Sequence, residues 1–317
     1  MTGSGRLWMI SNQSELLNEC NLCPRHCGVN RNAGERGVCG ETSVIRAARA
    51  ALHMWEEPCI SGTRGSGTVF FTGCPLRCVF CQNRNIAIGD VGKEITVQRL
   101  AEIFLEQQGR GANNINLVTP THFVPQIADA LIDARNNGLT IPIVYNTGSY
   151  ENVDTLKMLD GLVDVYLPDL KYVSPDLAEK YSHAPDYFDV AAKAIEEMYR
   201  QTGTPSFDEG GTVEDGIMTR GVIVRHLMLP GCLSDSKSVV KYLHDTYKDN
   251  VYISIMSQYT PMDGIGNRYP ELAGKVSRRD YDRLVDYAID IGVTNGFIQD
   301  GDTADESFIP VFDTEGI

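Results

Sequence analysis

Thr68-Val69-Phe70-Phe71-Thr72-Gly73-Cys74-Pro75-Leu76-Arg77-Cys78-Val79-Phe80-Cys81-Gln82-Asn83 joins a short apolar run to a Cys-x3-Cys-x2-Cys spacing. The apolar run reads as a buried strand, and the cysteines follow directly on its carboxyl end. Three thiolates within eight residues are one short of the four that usually hold a cubane iron–sulfur cluster. A cluster held by Cys74, Cys78 and Cys81 keeps one iron open to a non-protein ligand. A zinc site fits less well, because zinc takes four ligands, commonly as paired Cys-x2-Cys, and no fourth is close by.

Working outward, strand-like and helix-like segments alternate from about residue 68. The expected strands are Thr68–Thr72, Ile115–Val118, Ile141–Tyr145, Val163–Leu167, Gly221–Leu229 and Val251–Met256, short runs of the kind buried on both faces. The expected helices are Val97–Gln108, Phe123–Asn137, Ala184–Gln201, Ser236–Thr246 and Ser277–Ile291. Leu100, Ile103, Phe104 and Gln107 share one face of the first, and Gly138 and Gly292 stand at C-cap positions. Six β-then-α units imply an α/β fold with a parallel sheet and right-handed crossovers. A closed eight-unit barrel takes about 250 residues; six units over roughly 230 fit an open, partial (β/α)6 TIM-like barrel. Thr204–Asp215 is polar and Gly-rich and reads as a surface loop or hairpin.

Residues 1–60 break the alternation. They carry Cys20-x2-Cys23-x3-Cys27-x11-Cys39 among Arg and Gly residues, and read as a Cys-rich extension with little secondary structure. The expected division is therefore 1–60 extension, 61–300 barrel and 301–317 C-terminal tail. Four thiolates suffice for a second metal site, either structural zinc or an auxiliary iron–sulfur cluster, and His26 could replace one of them. Cys59 and Cys232 lack neighbouring ligands and read as small buried apolar residues.

The 317 residues are 42% hydrophobic and 22% charged, ordinary values for a globular protein. No apolar run reaches the length of a membrane span, and Met1–Trp8 lacks a signal-peptide core, so the expected location is cytoplasmic. Eight of the nine cysteines precede residue 82, which favours metal ligation over disulfides. A net charge of −14 without a basic stripe argues against nucleic-acid binding.

The cysteine spacing after a strand, with Phe80 before the last Cys, resembles the radical S-adenosylmethionine (SAM) superfamily. Cys-Asn-Leu-Cys-Pro-Arg, Cys-Gln-Asn, Pro142–Thr147, Tyr181–Tyr187 and Ile255–Tyr259 are similar to a narrower group, the pyruvate formate-lyase activating-enzyme-like proteins. The resemblance implies a 4Fe-4S cluster on Cys74, Cys78 and Cys81 whose open iron binds SAM. It also implies a one-electron donor such as a flavodoxin or a ferredoxin. SAM binding then falls to Phe80 and to residues after successive strands: Thr119, Asn146, Asp169 and Lys171, and Arg225. Asp169-Leu170-Lys171 matches the group's Asp-Leu-Lys motif. At Thr119-Pro120-Thr121 only the proline of the usual Gly-Gly-Glu-Pro run remains, and Asn146 stands where the group has Asp. His122 could face the cavity or serve as a structural residue. Arg225, in a strand, is expected to pair with a carboxylate of a ligand or of an Asp.

Three functions follow. The first is activation of a glycyl-radical enzyme by hydrogen abstraction from a backbone glycine. The second is radical modification of a small molecule or a peptide. The third is a non-catalytic iron–sulfur or zinc protein, which the six βα units argue against. The substrate itself is not written in the sequence.

Overall fold

The computed structural model describes residues 15–208, 211–213, 215–299 and 310–317. The first 14 residues of the expected extension, residues 301–309 of the expected tail, and residues 209, 210 and 214 of the Thr204–Asp215 segment lie outside that set. The strands are β1 (Ile45–His53), β2 (Ser66–Phe71), β3 (Lys93–Ile95), β4 (Ile115–Val118), β5 (Ile143–Thr147), β6 (Val165–Pro168), β7 (Ser206–Phe207), β8 (Met218–Leu227), β9 (Tyr252–Met256) and β10 (Gly296–Ile298). Their order in the sheet is β10-β9-β8-β6-β5-β4-β2-β1-β3, with β7 paired to β8 as a hairpin. From β2 to β10 each neighbour on this path is parallel. β1 runs antiparallel to β2, and β3 antiparallel to β1. The path is open, as expected for a partial α/β barrel.

All six expected strands form. Crossover helices Val97–Gly109, Val124–Asn136, Tyr187–Thr202, Leu233–Tyr247 and Arg278–Asp290 cover the outer face. The first opens on a Thr96 cap, whose side chain accepts from Arg99 N at 3.0 Å. Leu100, Ile103 and Phe104 are fully buried, each worth roughly 1.5–3 kcal/mol of transfer free energy. Gln107 joins that face by donating to Ala50 O at 3.2 Å. Gly138 and Gly292 close their helices at φ +101° and +94°.

Three differences matter. Residues 45–53, expected to be irregular, form the nine-residue strand β1. Alanine is a weak strand former, so Ile-Arg-Ala-Ala-Arg-Ala-Ala-Leu-His gives little strand signal. Ala47, Ala48 and Ala50 are nevertheless fully buried. The helix expected from Ala184 starts at Tyr187, because the residue before Pro185 avoids helical backbone. A separate helix, Pro175–Ser182, precedes it and ends on His183 at φ +53°. Finally, β10 adds a further parallel strand, too short and too exposed to stand out in sequence. The described end of the tail is docked: Thr314 N donates to Ala48 O (2.9 Å) and Ala50 N to Glu315 O (2.8 Å).

Strand alternation sorts side chains into an outer set under the helices and an inner set. Val144, Val165, Leu167, Ile223 and Tyr252 face inward and pack on Cys59 and Ile60 of the short helix Pro58–Ser61. Segment 54–61 thus plugs the barrel interior, with Cys59 and Ile60 toward the amino ends of the strands. Cys59 is a buried apolar plug residue, as its isolation in the sequence suggested.

Candidate active site

The cysteine loop leaves β2 through Gly73, at φ +78°. A Cβ there would stand 2.6 Å from Glu41 Cγ and 2.7 Å from Cys39 O, so only glycine fits between β2 and the N-terminal extension. Cys81 N donates to Cys78 O at 3.1 Å, and Val79 N to Tyr181 O at 2.9 Å. Ser182 Oγ donates to Cys78 Sγ at 3.0 Å. Burial, then the charge of Cys78, pushes the Cys74 thiol up to about 11; burial, then Cys74 and Cys78, pushes Cys81 up to about 12. Thiolates so placed repel one another unless a metal takes their charge, and a coordinated thiol is deprotonated outright. The three sulfurs line a cavity of about 160 Å³ with Thr119, Asn146, Asp169, Lys171 and Arg225. Among the described residues no three His, Cys, Asp or Glu side chains converge on one point as a single ion requires. Three closely spaced thiolates without a fourth suit a cubane, which spreads its thiolates over separate irons.

The strand ends bring the remaining expected residues to the same cavity, with one exception. Thr119 holds φ +57° and donates its N–H to Asn146 O at 2.9 Å. Asp169 Oδ1 accepts from Arg225 at 3.0–3.1 Å and its Oδ2 from Lys171 Nζ at 2.6 Å. Asn146 Oδ1 accepts from Arg225 Nη2 at 2.6 Å. Phe80 is the exception. Its ring is buried edge-on to Tyr172 and Tyr181, with Lys171 Nζ 6.0 Å from its centroid. It supports Lys171 from beneath and does not line the cavity. Burial would raise the Asp169 pKa, but Lys171 and Arg225 outweigh it and hold the carboxyl below its ordinary range.

Arg225 has the carboxylate partner that its place in a strand demanded, and a second one unseen in sequence. Its Nη1 meets Glu56 Oε2 at 3.1 Å. Glu56 Oε1 accepts from Asn116 at 2.9 Å and from Asn146 at 3.3 Å. Glu56 enters from the plug segment, as does Glu57, whose pKa burial raises against the pull of Arg225. Arg225 thus takes carboxylate contacts from Asp169 and Glu56 of the protein itself, with the Asn146 side chain as a third partner. Beyond it the cleft continues into spaces of about 210 Å³ and 340 Å³, both walled by Trp55, Glu56, Arg225, Met256 and Gln258.

His122 is structural: it is buried, with Nε2 2.7 Å from Thr72 O, and burial and Arg31 lower its pKa to about 3. Glu151 is a further residue that sequence reading passed over. It is buried and accepts from Thr121 (2.6 Å), Thr147 (2.5 Å) and Tyr145 (3.2 Å). Burial raises its pKa to about 7 despite those three donors. An acid whose folded pKa lies above its unfolded value loses stability as pH rises between the two. Glu151 should thus cost the fold about 3 kcal/mol between pH 4.5 and pH 7. Glu151→Gln is expected to raise the unfolding temperature at pH 8 but not at pH 4.5; an equal change at both would mean that Glu151 is not held protonated.

A sequence model described as "Radical SAM superfamily" matches residues 68–210. Members of that superfamily bind a 4Fe-4S cluster and SAM and need a one-electron donor. The chain is 27% identical over 282 residues to an uncharacterized protein of Methanocaldococcus jannaschii, covering 86% of this chain and 75% of that one. Among solved structures it is similar to Streptococcus suis SuiB bound to precursor peptide SuiA (TM-score 0.49, 15% identity, 71% of this chain and 46% of that one). It thus spans less than half of SuiB. It is also similar to a domain of pyruvate-formate lyase-activating enzyme from Bacteroides vulgatus (TM-score 0.39, 13% identity, 56% and 91%). Methylornithine synthase is a further neighbour (TM-score 0.42, 12% identity, 94% and 78%).

Proposed function

We propose that this chain cleaves SAM reductively, with Cys74, Cys78 and Cys81 holding the cluster and the Asp169–Lys171–Arg225 group holding SAM beside it. The observation that carries the reading is the meeting of three cysteines with that ion network in one cavity at the carboxyl ends of β4, β5, β6 and β8. A reduced cluster held by these cysteines would supply the electron for cleaving SAM to methionine and a 5′-deoxyadenosyl radical. The chain's own part is to bind and orient. Lys171 presents a cation where a carboxylate of SAM would lie, and Asp169 fixes the positions of Lys171 and Arg225. Thr119 lines the same cavity. Leu76 and Val118 line the same cavity and limit water near it.

The target is either a glycine of a partner glycyl-radical enzyme, as the sequence resemblance implies, or a small molecule or peptide. The cleft beyond Arg225, ending in a chamber of about 340 Å³ with Trp55, Met256 and Phe297, is sized for a small molecule or one side chain and favours the second. A flavodoxin or ferredoxin is the proposed donor. The nine cysteines are all unpaired, which fits a reducing cytoplasm. Among the described residues no helix is long and apolar enough to cross a membrane. Anaerobic incubation of the iron-reconstituted protein with SAM and dithionite should yield 5′-deoxyadenosine. None, with iron and sulfide fully bound and dithionite in excess, would refute reductive cleavage by the isolated chain.

A further inference from the structure

We propose that Cys20, Cys23, Cys27 and Cys39 hold a second iron–sulfur centre, docked on the loop of the first. Described residues 15–44 contain only two short 3-10 turns, Glu15–Leu17 and Arg31–Ala33, and no helix or strand. The buried apolar cluster within them is Leu17, Cys20 and Leu22, with Val29 against it. So small a core cannot offset the conformational entropy of some thirty residues, on the order of 1–2 kcal/mol each for the backbone alone. Hydrogen bonds to the barrel help to fix the segment, such as Arg31 Nη1 to His122 O and Thr155 Oγ1 to Leu22 O, but no disulfide does, since all four cysteines are free.

The backbone gathers those cysteines. Cys20 N donates to Val29 O and Gly28 N to Cys20 O, both at 3.0 Å, which lays Cys27 alongside Cys20. His26 and Gly28 take positive φ, +42° and +64°, so the chain reverses tightly between the ligands. His26 N closes a turn on Cys23 O at 3.1 Å. Gly37 passes so close to Cys27 that a Cβ would stand 2.7 Å from Sγ, which brings Cys39, two residues on, to the same place. Arg31 spans the group, with Nη1 3.8 Å from Cys20 Sγ and Nη2 on Thr42 O. Val38 N–H points at Cys27 Sγ at 3.3 Å. Donors aimed at sulfur serve thiolates bound to metal, where such bonds tune the centre.

The class of centre follows from ligand type and spread. Four thiolates suit zinc or an iron–sulfur cluster alike. A zinc ion draws its sulfurs to about 2.3 Å from one point. These sulfurs, like those of Cys74, Cys78 and Cys81, do not converge in that way. A cubane hangs each sulfur on its own iron and needs no such convergence. The segment also abuts the first cluster loop. Cys39 O presses on Gly73, and Arg25 Nε donates to Pro75 O at 2.8 Å.

The test is the full-length Cys74→Ala/Cys78→Ala/Cys81→Ala variant, reconstituted anaerobically with iron and sulfide and analysed for iron, sulfide and zinc. Retention of about four iron and four sulfide per chain is expected. The wild type should hold about eight iron, and Cys27→Ser about four, which guards against misfolding of the triple variant. A triple variant with no metal beside a wild type with four iron overturns the site. One zinc without sulfide overturns the assigned class.

Discussion

Cys74→Ala, Cys78→Ala and Cys81→Ala are each expected to reduce 5′-deoxyadenosine formation to background. Three thiolates are the minimum that leaves a cubane with one open iron, and no other cysteine lines their cavity. Loss of one ligand therefore removes the electron path to SAM and does not merely slow it. The fold should survive, because the loop is anchored elsewhere. Val79 N is held by Tyr181 O, and Gln82 donates to Gln258 O at 2.8 Å. Iron analysis and a thermal melt alongside the turnover assay separate loss of cluster from loss of structure. Wild-type turnover in any one of the three variants would sink the assignment of that cysteine.

Asp169→Ala is the second large effect. The variant leaves Lys171 without its counter-ion, since Asp169 is its salt-bridge partner, while Arg225 keeps Glu56 and Asn146. Removing one partner of a largely buried ion pair costs about 3–5 kcal/mol. The side chains of Asp169 and Lys171 are 19% and 15% exposed, so the lower end is expected. SAM affinity should fall with iron content unchanged. The stabilisation also has a pH signature. Because the Asp169 pKa is lowered, its contribution is present above the ordinary carboxylate range near pH 4 and disappears as pH falls below it. Melts of wild type and variant should therefore differ at pH 7 and converge in acid. Unchanged SAM affinity would return Asp169 to a purely structural role.

What could be read in advance divides along a physical line. The six parallel strands were legible because a strand buried on both faces must be a continuous apolar run. The cysteines were legible because ligand spacing is a local property. Asp169 and Lys171 stood out through the resemblance of Asp169-Leu170-Lys171 to the group's motif, and Arg225 because a charge within a strand needs a partner. Glu56, Glu57 and Glu151 were not legible. Nothing in Trp55-Glu56-Glu57-Pro58 or Tyr150-Glu151-Asn152 distinguishes a buried carboxylate from a solvated one until Arg225, or Thr121 and Thr147, arrive from elsewhere. The partner of Arg225 was expected to be a ligand or an Asp, and the chain supplies two carboxylates of its own. Phe80 lies outside the cavity lining for a related reason: proximity to a ligand in sequence says nothing of which way a ring turns. β1 escaped because alanines pack well against a sheet without announcing it.

The plug has a consequence for how this chain comes into being. Glu56 and Arg225 meet across 169 residues. At about 5–20 residues per second of synthesis, Glu56 waits roughly ten to thirty seconds for the cation that justifies its burial. Contacts of such separation are made late and slowly. Through that interval the cysteine loop has already been made, and the interior beside it stays unsealed. Iron and sulfide could thus reach the loop before the barrel interior closes around the arriving arginine.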